Sequence, residues 1–102
     1  MVNQQSLCVL WDDRAKAELK KELKRIRKES AQGAETVKCK IFETAKRLPD
    51  NPFAFEEDSL KLDNDGSYRR FTAFSYRVVY KITDSAIWIL RIRHTSREPL
   101  EY

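Results

Sequence analysis

The sequence predicts an α/β fold of the α+β kind: a helical hairpin packed on a small, mostly antiparallel sheet, in the order β-α-α-β-β-β. Three observations lead there. Apolar residues recur at helical spacing through residues 13–48, in two stripes broken once at "ESAQGAE". Three runs rich in β-branched and aromatic residues, "YRRFTAF", "YRVVYKI" and "AIWILRIRH", follow between residues 68 and 94. One short apolar run, "SLCVLW", precedes the helices.

Taken in order, Ser6–Trp11 reads as the first strand, with Cys8 inside its apolar pattern and therefore expected in the core. Asp12 or Asp13 caps the first helix, and either suits the positive end of its dipole. Ala15, Leu19, Leu23 and Ile26 form that helix's apolar stripe, with Lys and Arg around the rest. Ser30 is placed to cap a second helix, whose stripe is Ala34, Val37, Ile41, Ala45 and Leu48, and Pro49 and Pro52 end it. The link is tight, so the helices should lie antiparallel. The acidic loop "DNPFAFEEDSLKLDNDGS" is expected to be anchored by Phe53, Phe55 and Leu60. "TDS" is short enough to close a hairpin between the last two strands. Strict alternation would put Tyr76, Val78, Tyr80 and Ile82 on one face, and Trp88, Leu90, Ile92 and His94 together on one face of the last strand. One sheet face should carry the helices, and the other should be open and basic.

The chain has 102 residues, which bounds the reading to one domain, residues 1–102, with one modest core. Its charge is segregated. Residues 14–47 carry 12 Lys/Arg against 5 Asp/Glu, residues 48–68 one Lys against six acids, and residues 69–97 seven Lys/Arg against one acid. Such blocks favour an acidic partner or a polyanion. "MVNQQS" lacks the basic and apolar start of a signal peptide, and no run reaches membrane-spanning length, so a cytoplasmic protein without a membrane partner is expected. Cys8 and Cys39 make no disulfide framework, and with a single His they make no metal site. Gly33 and Gly66 are too far apart for a phosphate loop. No cofactor or metal is expected.

What remains is an arginine-rich surface ending in the only histidine, His94. Arg69, Arg70, Arg91, Arg93 and Arg97 are the candidates to bind a partner or nucleic acid. Arginine forks hold phosphates bidentately, and a histidine moves protons near neutral pH, so a metal-free ribonuclease using the substrate's own ribose hydroxyl is open to this chain. An arginine grip on an acidic partner peptide is equally open.

The order and spacing of these segments resemble the RelE/ParE superfamily of toxins from bacterial type II toxin–antitoxin systems. The resemblance spans nearly the whole chain and is most specific in "YRRFTAFSYRVVYKITDSAIWILRIRH". "KESAQGAETVKCKIFETAKRLPDNP", with its small-residue start and L-P-x-x-P exit, is similar to the second hairpin helix of ParE-type members. The resemblance implies a co-expressed antitoxin, and a target that divides the family: RelE- and YoeB-like toxins cut messenger RNA on the ribosome, whereas ParE-like toxins inhibit DNA gyrase. On the nuclease side it implies Arg77 as the holder of the scissile phosphate, His94 as acid/base, Tyr102 as the C-terminal tyrosine, and Asp58 or Glu57 as the histidine's acidic partner. Thr95 stands where YoeB-like enzymes follow that histidine with Tyr, and Lys61 alone replaces the RelE-like lysine cluster. Arg77, His94 and Arg97 also suit ParE-like members. Pairing of Arg77 with the acidic tail, Glu98 and Glu101, or with the antitoxin would make it structural, and His94 would be structural as a strand-end residue satisfied by backbone. The expectations are thus a ParE-leaning toxin acting by target binding, a ribosome-dependent nuclease, or a non-toxic basic module that binds RNA or protein.

Overall fold

The computed structural model describes residues 7–97. Strand β1 (Cys8–Trp11) leads into helix α1 (Asp13–Glu29), then helix α2 (Ala31–Arg47), a 3-10 turn (Leu48–Asp50), and strands β2 (Tyr68–Ala73), β3 (Tyr76–Ile82) and β4 (Ala86–His94). A second 3-10 turn, Thr95–Arg97, follows. Asp12 caps α1, its carboxylate accepting from the Arg14 N–H. Ser30 serves both helices: its N–H donates to the Ile26 carbonyl, and its hydroxyl accepts from the Gly33 N–H at 2.8 Å. A single extended residue therefore turns the chain back on itself, which yields the tight antiparallel hairpin.

The sheet runs β1-β4-β3-β2, with β1 parallel to β4 and the other pairs antiparallel. Val79 faces Arg91 and Tyr80 faces Ile89, so Leu90 is an extra residue, a bulge that reverses the alternation of β4. This corrects the strict alternation expected from the sequence. Ile87, Ile89, Ile92 and His94 share the inner face with Tyr76, Val78, Tyr80 and Ile82, while Trp88 turns outward. Ala15, Leu19, Leu23, Ala34, Ile41, Ala45 and Leu48 from the hairpin fill the space over that inner face. Each large apolar side chain buried there is worth roughly 1.5–3 kcal/mol, so this layer carries the fold.

Two further expectations are corrected. Cys8 is exposed, because β1 is an edge strand in which Val9 and Trp11, like Leu7 just before it, turn to the core while Cys8 and Leu10 turn away. Phe53 does not anchor the acidic loop by burial; it is largely exposed, its ring beneath the Arg69 guanidinium at 5.0 Å. Phe55 packs against Phe71 at 5.6 Å, and the Tyr80 hydroxyl donates to the Pro52 carbonyl at 2.8 Å.

Candidate functional site

The arginines of the sheet are held by carboxylates and carbonyls of the chain itself. Arg69 donates from Nε to the Gly66 carbonyl and from Nη1 to the Phe55 carbonyl, both at 2.9 Å, and lies 3.8 Å from Glu57. Arg70 pairs with Glu56 at 3.1 Å, and its backbone N–H donates to the Glu56 carbonyl. Together they tie the acidic loop along the edge of β2. Arg91 forms a bidentate pair with Glu18 of α1, at 2.7 and 3.0 Å, and the same carboxylate accepts the Ile92 N–H at 2.8 Å. Glu18 thereby closes the part of the β4 edge that β1 is too short to cover. Arg93 is half-buried on the outer face, beside Arg77 across the β3–β4 pair. Arg97 ends the last 3-10 turn.

Arg77 points to the outer face, where its Nη1 lies 3.5 Å from Asp58. That carboxylate is fully buried, and its other oxygen, Oδ2, has no hydrogen-bond partner among the described residues. Asp58 is fixed by its own loop: its N–H donates to Tyr68 O, its Oδ1 accepts from Leu60 N–H, and the Asn64 amide bridges the Asp58 and Tyr68 carbonyls. Val79, on the same outer face, is also buried. The face expected to be open and basic is instead covered over Arg77 and Val79 by the acidic loop.

His94 lies on the other side of the sheet. It pairs with Tyr76 across the strands, ring edge to ring face at 5.2 Å. Its Nδ1 accepts the Ser96 N–H at 3.1 Å, so the proton of the neutral ring is on Nε2. Burial, then the charge and hydrogen bond of buried Glu22, push the Tyr76 hydroxyl above its ordinary value. Glu22 also pairs with Arg25 at 3.4 Å. The ring of His94 lines a shallow groove of about 390 Å³ with Ile26, Val37, Phe74 and Tyr76.

Of the proposed nuclease residues, Arg77 and His94 are therefore on opposite faces and are not brought together. Asp58 meets Arg77 rather than His94. Tyr102, with Glu98 and Glu101, lies outside the described residues. Sequence reasoning missed Glu18 and Glu22 as partners of the sheet. Their signal was present, because both fall within the apolar repeat of α1 beside Leu19 and Leu23, where a solvated acid would not be placed.

A family model describing the ParE toxin of the type II toxin–antitoxin system parDE matches residues 9–99. The chain belongs to the ParE toxin family. Its fold is similar to that of a solved structure of the chromosomal ParDE system from P. aeruginosa, with TM-score 0.63 and 16% identity, covering 87% of this chain and 96% of that one. The toxin–antitoxin complex DinJ–YafQ from E. coli matches with TM-score 0.58 and 14% identity over 90% and 96% of the two chains. The YoeB dimer from Staphylococcus aureus matches with TM-score 0.52 and 17% identity over 88% and 98%. At these identities the structural likenesses carry the fold alone. No curated protein sequence matches the chain. In this ParE-family toxin, as the RelE/ParE resemblance implied, the helical hairpin and four-stranded mixed sheet form the frame on which the site must be read.

A further apolar groove lies on the hairpin of this chain, against β1. Trp11, Leu19, Leu23 and Phe42 line a groove of about 400 Å³, rimmed by Lys16, Lys20 and Lys38. Trp11 and Phe42 hold its end by ring contact at 5.2 Å.

Proposed function

We propose that this ParE-family toxin arrests growth by binding an essential protein, in the manner of ParE-like inhibitors of DNA gyrase, and that a cognate antitoxin neutralises it. The observation that carries this reading is the separation of Arg77 from His94 by the thickness of the sheet. Metal-free phosphodiester cleavage needs a phosphate-holding cation and a proton-transfer group to converge on one reacting centre, within hydrogen-bond reach of it. Here the cation is turned to Asp58 and the imidazole to Tyr76. An inhibitor needs neither proton transfer nor a phosphate site, and a rigid surface suffices.

The antitoxin half of the proposal rests on the hairpin groove. Its apolar floor and three rim lysines suit an acidic amphipathic segment, with apolar anchors on the floor and carboxylates against Lys16, Lys20 and Lys38. The test is induced expression with and without the neighbouring small reading frame, followed by two assays on purified toxin. Growth arrest, rescue by the neighbour, and inhibition of gyrase supercoiling without cleavage of ribosome-bound message are expected. Cleavage of that message with supercoiling intact would establish the ribosome-dependent nuclease instead. Normal growth at verified soluble expression would contradict both and leave a basic binding module.

A further inference from the structure

Phe74 sits, with Ser75, in the two-residue turn between β2 and β3, and its backbone is left-handed, with φ 57°. That conformation is costly for a residue with a bulky side chain and costs little for glycine or asparagine. Burial does not offset the strain, because the residue is 61% exposed. The turn is nevertheless held in place: the Thr95 N–H donates to the Ser75 carbonyl at 2.8 Å, and Ala73–Tyr76 closes the hairpin beneath it. A strained, firmly held and solvent-facing aromatic ring does nothing for the fold that a glycine would not do better. Its use therefore lies in what the ring touches outside the chain.

The surroundings define that contact. On one side of the ring lies the groove lined by Ile26, Val37, Tyr76 and His94. On the other lies a second shallow groove along α2, whose charged lining is Glu35, Glu43 and Lys40. Two carboxylates against one ammonium make a poor seat for a phosphate backbone, which binds through clustered Lys and Arg. An apolar floor beside an exposed ring, with the Nε2–H of His94 as a donor, suits a protein segment. Neither groove shares a lining residue with the lysine-rimmed groove of the hairpin.

We infer that Phe74 is the aromatic anchor by which the toxin grips its protein target, the ring entering an apolar pocket of the target while a target carbonyl accepts from His94. This rests on the inhibitor reading above. The antitoxin then has its own surface on the hairpin.

The experiment compares wild type with Phe74→Gly and Phe74→Asn, both suited to the left-handed turn. Three quantities are read: melting temperature, affinity for the co-purified antitoxin, and growth arrest on induction. Both variants should melt at or above wild type, by up to about 8 °C, as the strain is relieved. Both should hold the antitoxin within about threefold of wild type, a difference small beside any hot-spot loss, yet arrest growth at least roughly thirtyfold less potently, the scale of a lost aromatic hot spot. Undiminished growth arrest by a folded Phe74→Gly protein would overturn the inference. So would loss of antitoxin binding in step with toxicity, which would make Phe74 the antitoxin's anchor, or a melting temperature well below wild type, which would make it structural. Growth arrest scores the anchor whatever the target, whereas supercoiling by wild type scores the inhibitor reading, so the two fail separately.

Discussion

The two faces of the sheet bury their residues by different means. The inner face is mostly apolar: Phe71, Val78, Ile92 and Ile89 pack beneath the hairpin, the Tyr80 hydroxyl donates to the Pro52 carbonyl of the loop after α2, and Tyr76 meets Glu22 of α1. The outer face and its margins are held by ion pairs: Arg77 with Asp58, Arg70 with Glu56, and Arg91 with Glu18. A row of arginines in sequence reads as a binding patch, but here four of them, Arg69, Arg70, Arg77 and Arg91, stitch the acidic loop and α1 to the strands. Buried pairs of this kind add little net stability over apolar packing, while breaking one is costly because a charge is left behind. The histidine belongs to the opposite layer from the arginine it was expected to assist.

The largest expected effect tests whether Arg77 is part of that stitching. Arg77→Ala leaves the Asp58 charge in a buried site where one oxygen has no partner among the described residues, and should cost roughly 3–5 kcal/mol, much of the stability of a domain this size. Denaturant unfolding measures it. The double variant Arg77→Met with Asp58→Asn removes both charges and should recover at least half of the loss and, with it, growth arrest. A phosphate-binding Arg77 would give the opposite pattern: a stable single variant without toxicity, and no rescue by the second change.

The elements were legible because local chemistry dictates them. The stripes of α1 and α2, the caps Asp12 and Ser30, and the "TDS" turn all report what nearby residues must do. The faces of β4 were not legible, because a bulge at Leu90 shifts every residue on one side of it by one place, and the bulge is a property of how two strands pair. Nor was the placement of the arginines. Whether Arg91 faces solvent depends on Glu18, 73 positions away, and whether Arg77 does depends on the path of the acidic loop. Glu18 and Glu22 within the apolar repeat were the available warning. Phe74 was hidden in a run that reads as strand; only its backbone angle marks it.

A smaller effect sharpens the contrast between the layers. Burial pushes the Tyr80 hydroxyl up to about 12, from an ordinary value of 10.0. The folded state favours the protonated phenol, so its contribution is complete below pH 10 and is lost as pH rises towards 12, by roughly 2–3 kcal/mol. Tyr76, also raised, acts in the same direction. Stability measured from pH 8 to 12 should therefore fall through the inner face, while the guanidinium pairs stay charged throughout. Tyr80→Phe should cost about 1 kcal/mol at neutral pH, for the hydrogen bond to Pro52, and should flatten most of the alkaline decline. An unchanged alkaline decline in that variant would show that the inner layer is wetter than its packing indicates.

The smallest expected effect bears on the central claim, that toxicity needs no proton transfer at His94. His94→Gln keeps a donor near the position of Nε2 and removes the titratable ring, and general acid–base catalysis is worth about a hundred- to ten-thousand-fold in rate. Growth arrest on induction of this variant, checked for folding and antitoxin binding, is the decisive measurement. Arrest equal to wild type within a few-fold is predicted, and a folded His94→Gln protein that is harmless, beside a wild type that cuts ribosome-bound message, would contradict the account.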